Sequence, residues 1–249
     1  MSEKTVTIKI QRQDSQSSQP YWQTFVIPRK PNANIISCLM DIRKKPVTTE
    51  GQQVTPVVWD CNCLEEVCGA CTMVINGKVR QSCSTLVDKL EEPITLQPMS
   101  KFPVVRDLMV DRSRMFEALK RVKAWINVDG FHDLGTGPKI PEKQQQVAYK
   151  LSECMTCGCC VEACPQFTKG GDFIGAAAIS QARLFNMNPT GEYNADERLD
   201  ALMQKGGVAD CGKAKNCVEV CPKSIPLTES IAEMGRQTSR RFWKSLIRI

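Results

Sequence analysis

Cys154, Cys157, Cys160 and Cys164 follow one another at the spacing C-x2-C-x2-C-x3-C, with Pro165 next. Thiolates at these intervals hold iron–sulfur clusters, the first three gripping one cluster while the fourth reaches to a second. A cubane needs three sulfurs converging from a tight loop. The proline after the last cysteine turns the chain away and adds no N–H donor. Cys211, Cys217 and Cys221, followed by Pro222, repeat this grammar with one letter changed, because Ala214 stands where another thiol belongs. By the crossed-ligand rule, Cys154, Cys157, Cys160 and Cys221 complete a [4Fe–4S] cluster. Cys164, Cys211 and Cys217 are left beside a methyl group that cannot ligate iron, which suggests a [3Fe–4S] cluster. The alternative is a [4Fe–4S] cluster whose fourth iron carries water or a neighbouring cysteine. Zinc is the competing metal wherever C-x2-C pairs occur.

A third constellation lies nearer the N-terminus. Cys63, Cys68, Cys71 and the more distant Cys83 have the spacing C-x4-C-x2-C-x11-C, that of a plant-type [2Fe–2S] loop closed by one remote thiolate. Gly69 and Ala70 keep bulk away from a loop that must wrap a cluster closely, and Gly69 can adopt dihedrals other residues avoid. Met73, Val74 and Ile75 followed by Asn76-Gly77 read as a hairpin that carries Cys83 back toward the loop. A zinc or purely structural site is the alternative here as well.

These assignments use eleven of the fourteen cysteines. Cys38 falls on an apolar helical face with Ile35, Leu39 and Ile42 and reads as a small buried hydrophobe. Cys61 could substitute for Cys63, but the C-x4-C interval favours Cys63. Cys159 is out of step with its run and reads as a non-ligating thiol near the cluster. No secretory signal marks the chain for disulfide formation, and free thiols with cluster assembly point to the cytoplasm.

The positioning elements follow from hydrophobic periodicity. Alternation predicts strands at Thr5 to Ile10, Trp22 to Ile27, Val57 to Trp59, the Met73 hairpin and Ile94 to Leu96, with a helix from Asn34 to Lys44. From about Arg106 onward the pattern turns helical. Met115, Leu119, Val122 and Ile126 recur at helical spacing as core contacts. Further helices are expected near Glu142 to Leu151, Ala176 to Phe185 and Glu197 to Gln204, with Gly206-Gly207 ending the last and Pro138 and Pro141 marking a loop. The predicted fold is α+β: an N-terminal β-grasp [2Fe–2S] ferredoxin domain over residues 1–105, then an α-helical two-cluster ferredoxin domain over 106–249.

Composition bounds the chemistry. The 249 residues are 42% hydrophobic and 24% charged, as in soluble globular proteins, with a net charge of +6. No run of eighteen apolar residues occurs, so no membrane span is expected. The single histidine, His132, excludes a Rieske centre and bis-histidine haem ligation within the chain. It lies among Gly130, Gly135 and Gly137 and reads as a solvated loop residue. Neither G-x-G-x-x-G nor a P-loop occurs, and no aromatic-and-basic motif accompanies the positive charge. The chain therefore reads as an electron wire without a substrate site or a nucleic-acid partner.

In this order, the [2Fe–2S] loop and the two cysteine–proline runs resemble the iron–sulfur subunit of succinate dehydrogenase and its relative fumarate reductase. The resemblance extends to Asn62–Cys71, to Val105-Arg106-Asp107-Leu108, to Asp111–Phe116 and to Gly206–Cys211. It is greatest with menaquinone-using enzymes of Gram-positive bacteria. It implies an electron-transfer subunit of succinate:menaquinone oxidoreductase, an oxidoreductase complex of the tricarboxylic acid cycle and respiratory chain, with fumarate reductase as the alternative. The implied partners are an FAD-containing flavoprotein subunit and a membrane-anchor cytochrome b with two haems, reaching menaquinone through the anchor. The implied location is the cytoplasmic face of the cell membrane. Ubiquinone-reducing relatives carry tryptophans just after the fourth cysteine and a histidine after the first cysteine of the last run. Here Gln166-Phe167-Thr168-Lys169 and Gly212 stand instead, so quinone-binding residues do not carry over.

From Arg236 to Ile249 the chain has five basic residues (Arg236, Arg240, Arg241, Lys244 and Arg248) and no acidic one. Phe242, Leu246 and Ile249 suggest an apolar face, and two readings stand. One is a basic helix beside anionic headgroups or the anchor subunit. The other is an ordinary solvated tail.

Overall fold

Val6, Ile8 and Ile10 alternate with polar residues and lie at 0–1% exposure, so one face of the first strand is sealed into a core. The computed structural model describes residues 4–127 and 137–247. Along the chain the elements run β1 (Thr5–Arg12), β2 (Tyr21–Pro28), α1 (Ile35–Lys44), β3 (Thr72–Ile75), β4 (Lys78–Gln81), β5 (Ile94–Gln97), β6 (Val104–Arg106) and β7 (Met109–Val110). The helices α2 (Ser113–Arg121), α3 (Glu142–Ser152), α4 (Cys159–Glu162), α5 (Gly175–Met187), α6 (Ala195–Met203), α7 (Asn216–Glu219) and α8 (Leu227–Ile247) follow. The chain divides into two units. One comprises residues 1–112 with 157–162, the other 113–156 with 163–249.

In the first unit five strands form a sheet of order β2-β1-β5-β3-β4. The β1–β5 pairing is parallel while β1–β2, β3–β4 and β3–β5 are antiparallel. Helix α1 contributes Ile35, Ile36, Cys38, Leu39 and Ile42 to the same core, giving the mixed sheet on a helix expected of a β-grasp. Burying each such side chain contributes about 1.5–3 kcal/mol. Asn34 starts α1 with a reciprocal cap: its Oδ1 accepts from the Ser37 amide at 2.8 Å, and the Ser37 hydroxyl accepts from the Asn34 amide at 2.9 Å. The same Asn34 donates through Nδ2 to the Cys83 carbonyl at 2.9 Å, so the cap also fixes a candidate ligand. Asn76 and Gly77 turn at φ 48° and 73°, the left-handed pair a two-residue hairpin needs.

The second unit is helical. Helices α5, α6 and α8 pack together and α3 lies on α5. Arg198 of α6 is fully buried and donates to the carbonyls of Lys123 (2.9 Å), Gly191 (2.6 Å) and Trp125 (2.6 Å). Three loop carbonyls and one guanidinium thus satisfy one another where water is excluded.

Several expectations need correction. Val57 to Trp59 is no strand of either sheet. Val57 is buried, but the Val58 amide donates to the Asp107 carboxylate at 2.9 Å and its carbonyl accepts from Leu108 at 3.1 Å. The helical pattern begins at Ser113 and not at Arg106, because β6 and β7 form a hairpin turned by Asp107 at φ 49°. Ile126 does not continue the stripe of Met115 and Val122: α2 ends at Arg121, Lys123 takes φ 49°, and Ile126 is exposed. His132, Arg248 and Ile249 lie outside the described residues.

Candidate metal centres

The segment Cys63–Cys71 places left-handed residues at Leu64 (φ 62°), Glu66 (55°) and Gly69 (70°). Alternation of this kind turns successive amides to one side and builds an anion-binding concavity. The amides of Glu65, Val67 and Cys68 donate to Cys63 Sγ at 3.4, 3.3 and 3.3 Å, and those of Cys63 and Ala70 donate to Cys68 Sγ at 3.5 and 3.4 Å. These amides, led by Glu65 and Val67, lower the Cys63 thiol to about 7, so the loop is built for sulfur in its anionic form. Cys71 is buried, which pushes its thiol up to about 12, and it is hydrogen-bonded to Cys83. The four cysteines of this constellation therefore fall in two close pairs within the first unit.

Two residues outside the cysteine pattern hold this loop. Arg112 donates to the Gly69 carbonyl at 2.8 Å and to Asp60 at 3.3 Å. Sequence reasoning quoted Arg112 inside a longer string but gave it no role, because its partner lies 43 residues away. The other is Gly69 itself. A Cβ there would stand 2.5 Å from Cys157 Cα and 2.6 Å from Cys157 Cβ, so the glycine lets Cys157 approach. Both residues belong to the first unit.

The structure places the remaining candidate ligands as follows. Cys157 and Cys160 are buried in the first unit. Cys157 Sγ accepts from the Cys159 thiol and from the Gln81 side chain; the Cys159 bond above all lowers the Cys157 thiol to about 7. Cys159, donating to Cys157 and buried, is raised. Cys154, Cys164, Cys211 and Cys221 are half-buried in the second unit, and Cys217 is buried there. The Cys217 thiol is raised first by burial and then by Cys164 and Cys211, which lie close enough to repel its charge. Cys221 Sγ accepts from the Ile225 amide at 3.4 Å. Left-handed residues recur here too, at Thr156, Gly158, Lys213 and Lys215.

Cys38 is buried on α1, which pushes its thiol up to about 11, as suits a core residue. Gly212 packs on the Gln166 side chain so closely that a Cβ would sit 2.5 Å from Nε2. Phe167 is buried under the Arg114 guanidinium, 3.8 Å from its ring centre. Among the described residues no three Cys, His, Asp or Glu side chains close round a single ion. Cys63, Cys68 and Cys221 do meet backbone amide donors, and Gly69 and Gly158 turn beside candidate ligands, surroundings that fit iron–sulfur clusters.

Comparison with known proteins agrees with that chemistry. The family described as 2Fe-2S iron-sulfur cluster binding domain matches residues 7–117, and the 4Fe-4S dicluster domain family matches 143–225. The chain is 60% identical over 246 residues to the succinate dehydrogenase iron-sulfur subunit of Bacillus subtilis, covering 98% of this chain and 97% of that one. It is 32% identical over 237 residues to the fumarate reductase iron-sulfur subunit of Wolinella succinogenes, covering 93% and 96%. A chain of the Mycobacterium smegmatis Sdh1 complex in the apo form shares the fold, with a TM-score of 0.77 at 21% identity over 97% of this chain and 98% of that one.

Proposed function

The chain belongs to the family of succinate dehydrogenase and fumarate reductase iron–sulfur subunits, and on that premise we propose how its own residues carry electrons. It is the electron-transfer subunit of an oxidoreductase complex whose other members are a flavoprotein and a membrane anchor. Three bound clusters supply reversible one-electron oxidation and reduction. Cys63, Cys68, Cys71 and Cys83 hold a [2Fe–2S] cluster; Cys154, Cys157, Cys160 and Cys221 a [4Fe–4S] cluster; Cys164, Cys211 and Cys217 a [3Fe–4S] cluster. The observation that carries this reading is the set of amides aimed at Cys63 and Cys68. Those donors stabilise negative charge on sulfur, and hydrogen bonding of this kind raises the ease of reduction. Arg112 keeps the loop in that shape through Gly69. No side chain here is required to bind succinate, because that chemistry belongs to the flavin-bearing chain.

The finer reading is a menaquinone complex at the cytoplasmic face of the cell membrane, with a dihaem cytochrome b anchor. Among the described residues no helix is long and apolar enough to cross a membrane, so attachment through an anchor suits the chain. With Gln166 filling the space beside Gly212, we assign no quinone-binding residue to this chain. The test is isolation of the native membrane complex, with succinate oxidation followed using menaquinone and ubiquinone analogues. A flavoprotein must copurify, the iron content of this subunit must approach about nine on the ligation scheme used here, and the menaquinone analogue must be the better acceptor. A complex lacking flavin, or one with stoichiometric zinc and little iron, overturns the reading.

Ala214 gives a sharper check. Ala214→Cys supplies the missing thiolate, and the expected result is loss of the [3Fe–4S] electron-spin signal of the oxidised protein with a gain of one [4Fe–4S] centre. An unchanged spectrum defeats the three-thiolate assignment.

A further inference from the structure

The last helix has two faces, and only one of them is used. Leu227, Ser230, Met234 and Thr238 of α8 are buried against the second unit. Arg241 continues that attachment by donating to Asp196 at 2.8 Å and to Asp200 at 3.0 Å, both on α6. The next residues reverse the pattern. Phe242, Trp243, Leu246 and Ile247 are exposed at 51, 63, 47 and 82%. At i, i+1, i+4 and i+5 they form one stripe, rotated roughly 150° from the packed stripe at 100° per residue. Phe242 and Trp243 meet edge to face, with ring centres 5.9 Å apart.

Charge borders that stripe on one side. Arg240 and Lys244 lie next to it and form no ion pair among the described residues, whereas Arg241, on the packed side, is already held by two carboxylates. No acidic residue occurs between Arg236 and the C-terminus. A protein interface of ordinary composition is depleted in lysine at its core. Aromatic and aliphatic side chains bordered by unneutralised cations are instead the pattern of a helix lying in a headgroup layer, with tryptophan at the polar–apolar boundary.

We propose that the C-terminal turns of α8 dock directly on an anionic lipid surface, through Phe242, Trp243, Leu246 and Ile247 inserted beneath Arg240 and Lys244. This contact belongs to the chain itself and does not depend on the anchor subunit. Its strength comes from two terms that respond differently to conditions. The charge attraction falls as salt screens it; the apolar insertion does not.

The test is flotation of the full-length, cluster-loaded chain with vesicles of phosphatidylcholine alone or mixed with phosphatidylglycerol. Binding is expected to the anionic vesicles and at least tenfold weaker to the neutral ones, and to fall with added salt. Trp243→Ala combined with Leu246→Ala should lower binding to anionic vesicles at least tenfold, and Arg240→Gln with Lys244→Gln should remove the difference between the two lipids. An unchanged visible cluster spectrum in each variant confirms that the fold is intact. Absence of wild-type binding to anionic vesicles, or binding by either double variant equal to that of the wild type, overturns the proposal. So does a third result: no vesicle binding by the wild type, but loss of the membrane anchor from the detergent-solubilised complex of the Trp243→Ala, Leu246→Ala variant. In that case a protein subunit covers the stripe.

Discussion

Gly69→Ala is expected to remove the [2Fe–2S] signal and to lower the stability of the first unit by about 2–5 kcal/mol, the sum of two separate costs. One is backbone strain: an L-residue at φ 70° carries roughly 1–2 kcal/mol. The other is contact. The new methyl would lie 2.5 Å from Cys157 Cα and 3.1 Å from its amide nitrogen, atoms that cannot swing aside as a side-chain tip can. Overpacking of this kind costs about 1–3 kcal/mol. Gly77→Ala separates the two terms, because Gly77 has nearly the same dihedral (φ 73°) but open space around the missing methyl. Thermal unfolding of both loaded variants, with iron and acid-labile sulfide determined on each, gives the comparison. Equal losses at the two positions would mean that Cys157 does not need the space. A larger loss at Gly69, with iron missing from the protein, is the outcome the geometry requires.

Why does the sequence offer candidate cysteines by spacing but not the residues that hold their loop? The ligation proposed for Cys154, Cys157 and Cys160, and for Cys63, Cys68 and Cys71, rests on interval, which is a local feature of the chain. Strands with one buried face are legible for a similar reason: Val6, Ile8 and Ile10 repeat at the period of the pleat. Asn76-Gly77 named its own turn because few residue pairs take two positive φ values. Sequence loses its grip where a partner lies far along the chain. Val57 to Trp59 has the apolar character of a strand, yet its hydrogen bonds go to Asp107 and Leu108, about fifty residues on. Leu64 and Glu66 give no sign that they occupy left-handed conformations, since only tertiary contacts and the demands of the sulfur nest hold them there. Ile126 kept the helical interval but lies beyond a turn at Lys123 that no glycine or proline signals. Arg112 and Arg114 look like ordinary surface charges in sequence. In the fold their guanidinium groups satisfy loop carbonyls at Gly69 and Thr168. Periodicity reports burial and ligand spacing reports chemistry; neither reports who accepts a distant hydrogen bond.

Asp107→Ala is expected to cost about 3–5 kcal/mol, the range for leaving one member of a buried ion pair without its partner. Arg12 and Asp107 are both fully buried, with Nε 2.7 Å from Oδ1. The aspartate also accepts from the Gln13 amide at 3.2 Å and the Val58 amide at 2.9 Å, so one substitution strands a guanidinium and two backbone donors. Arg12 would keep Gln23 Oε1 at 2.7 Å and the Thr55 carbonyl at 3.1 Å, neutral acceptors that cannot balance its charge. Aspartate also suits the position because it tolerates φ 49° better than alanine does. The consequence should reach the cluster loop. Val58 leads to Asp60, Asp60 accepts from Arg112, and Arg112 holds the Gly69 carbonyl. Denaturant unfolding of Asp107→Ala should therefore show lost stability together with faster bleaching of the [2Fe–2S] absorbance. The paired change Arg12→Met with Asp107→Asn should recover part of both, since it leaves no buried charge uncompensated and keeps a side-chain acceptor for Val58. If the double variant is as unstable as Asp107→Ala alone, the stranded charge is not the cause of the loss, and neither is the left-handed turn, which asparagine tolerates as aspartate does.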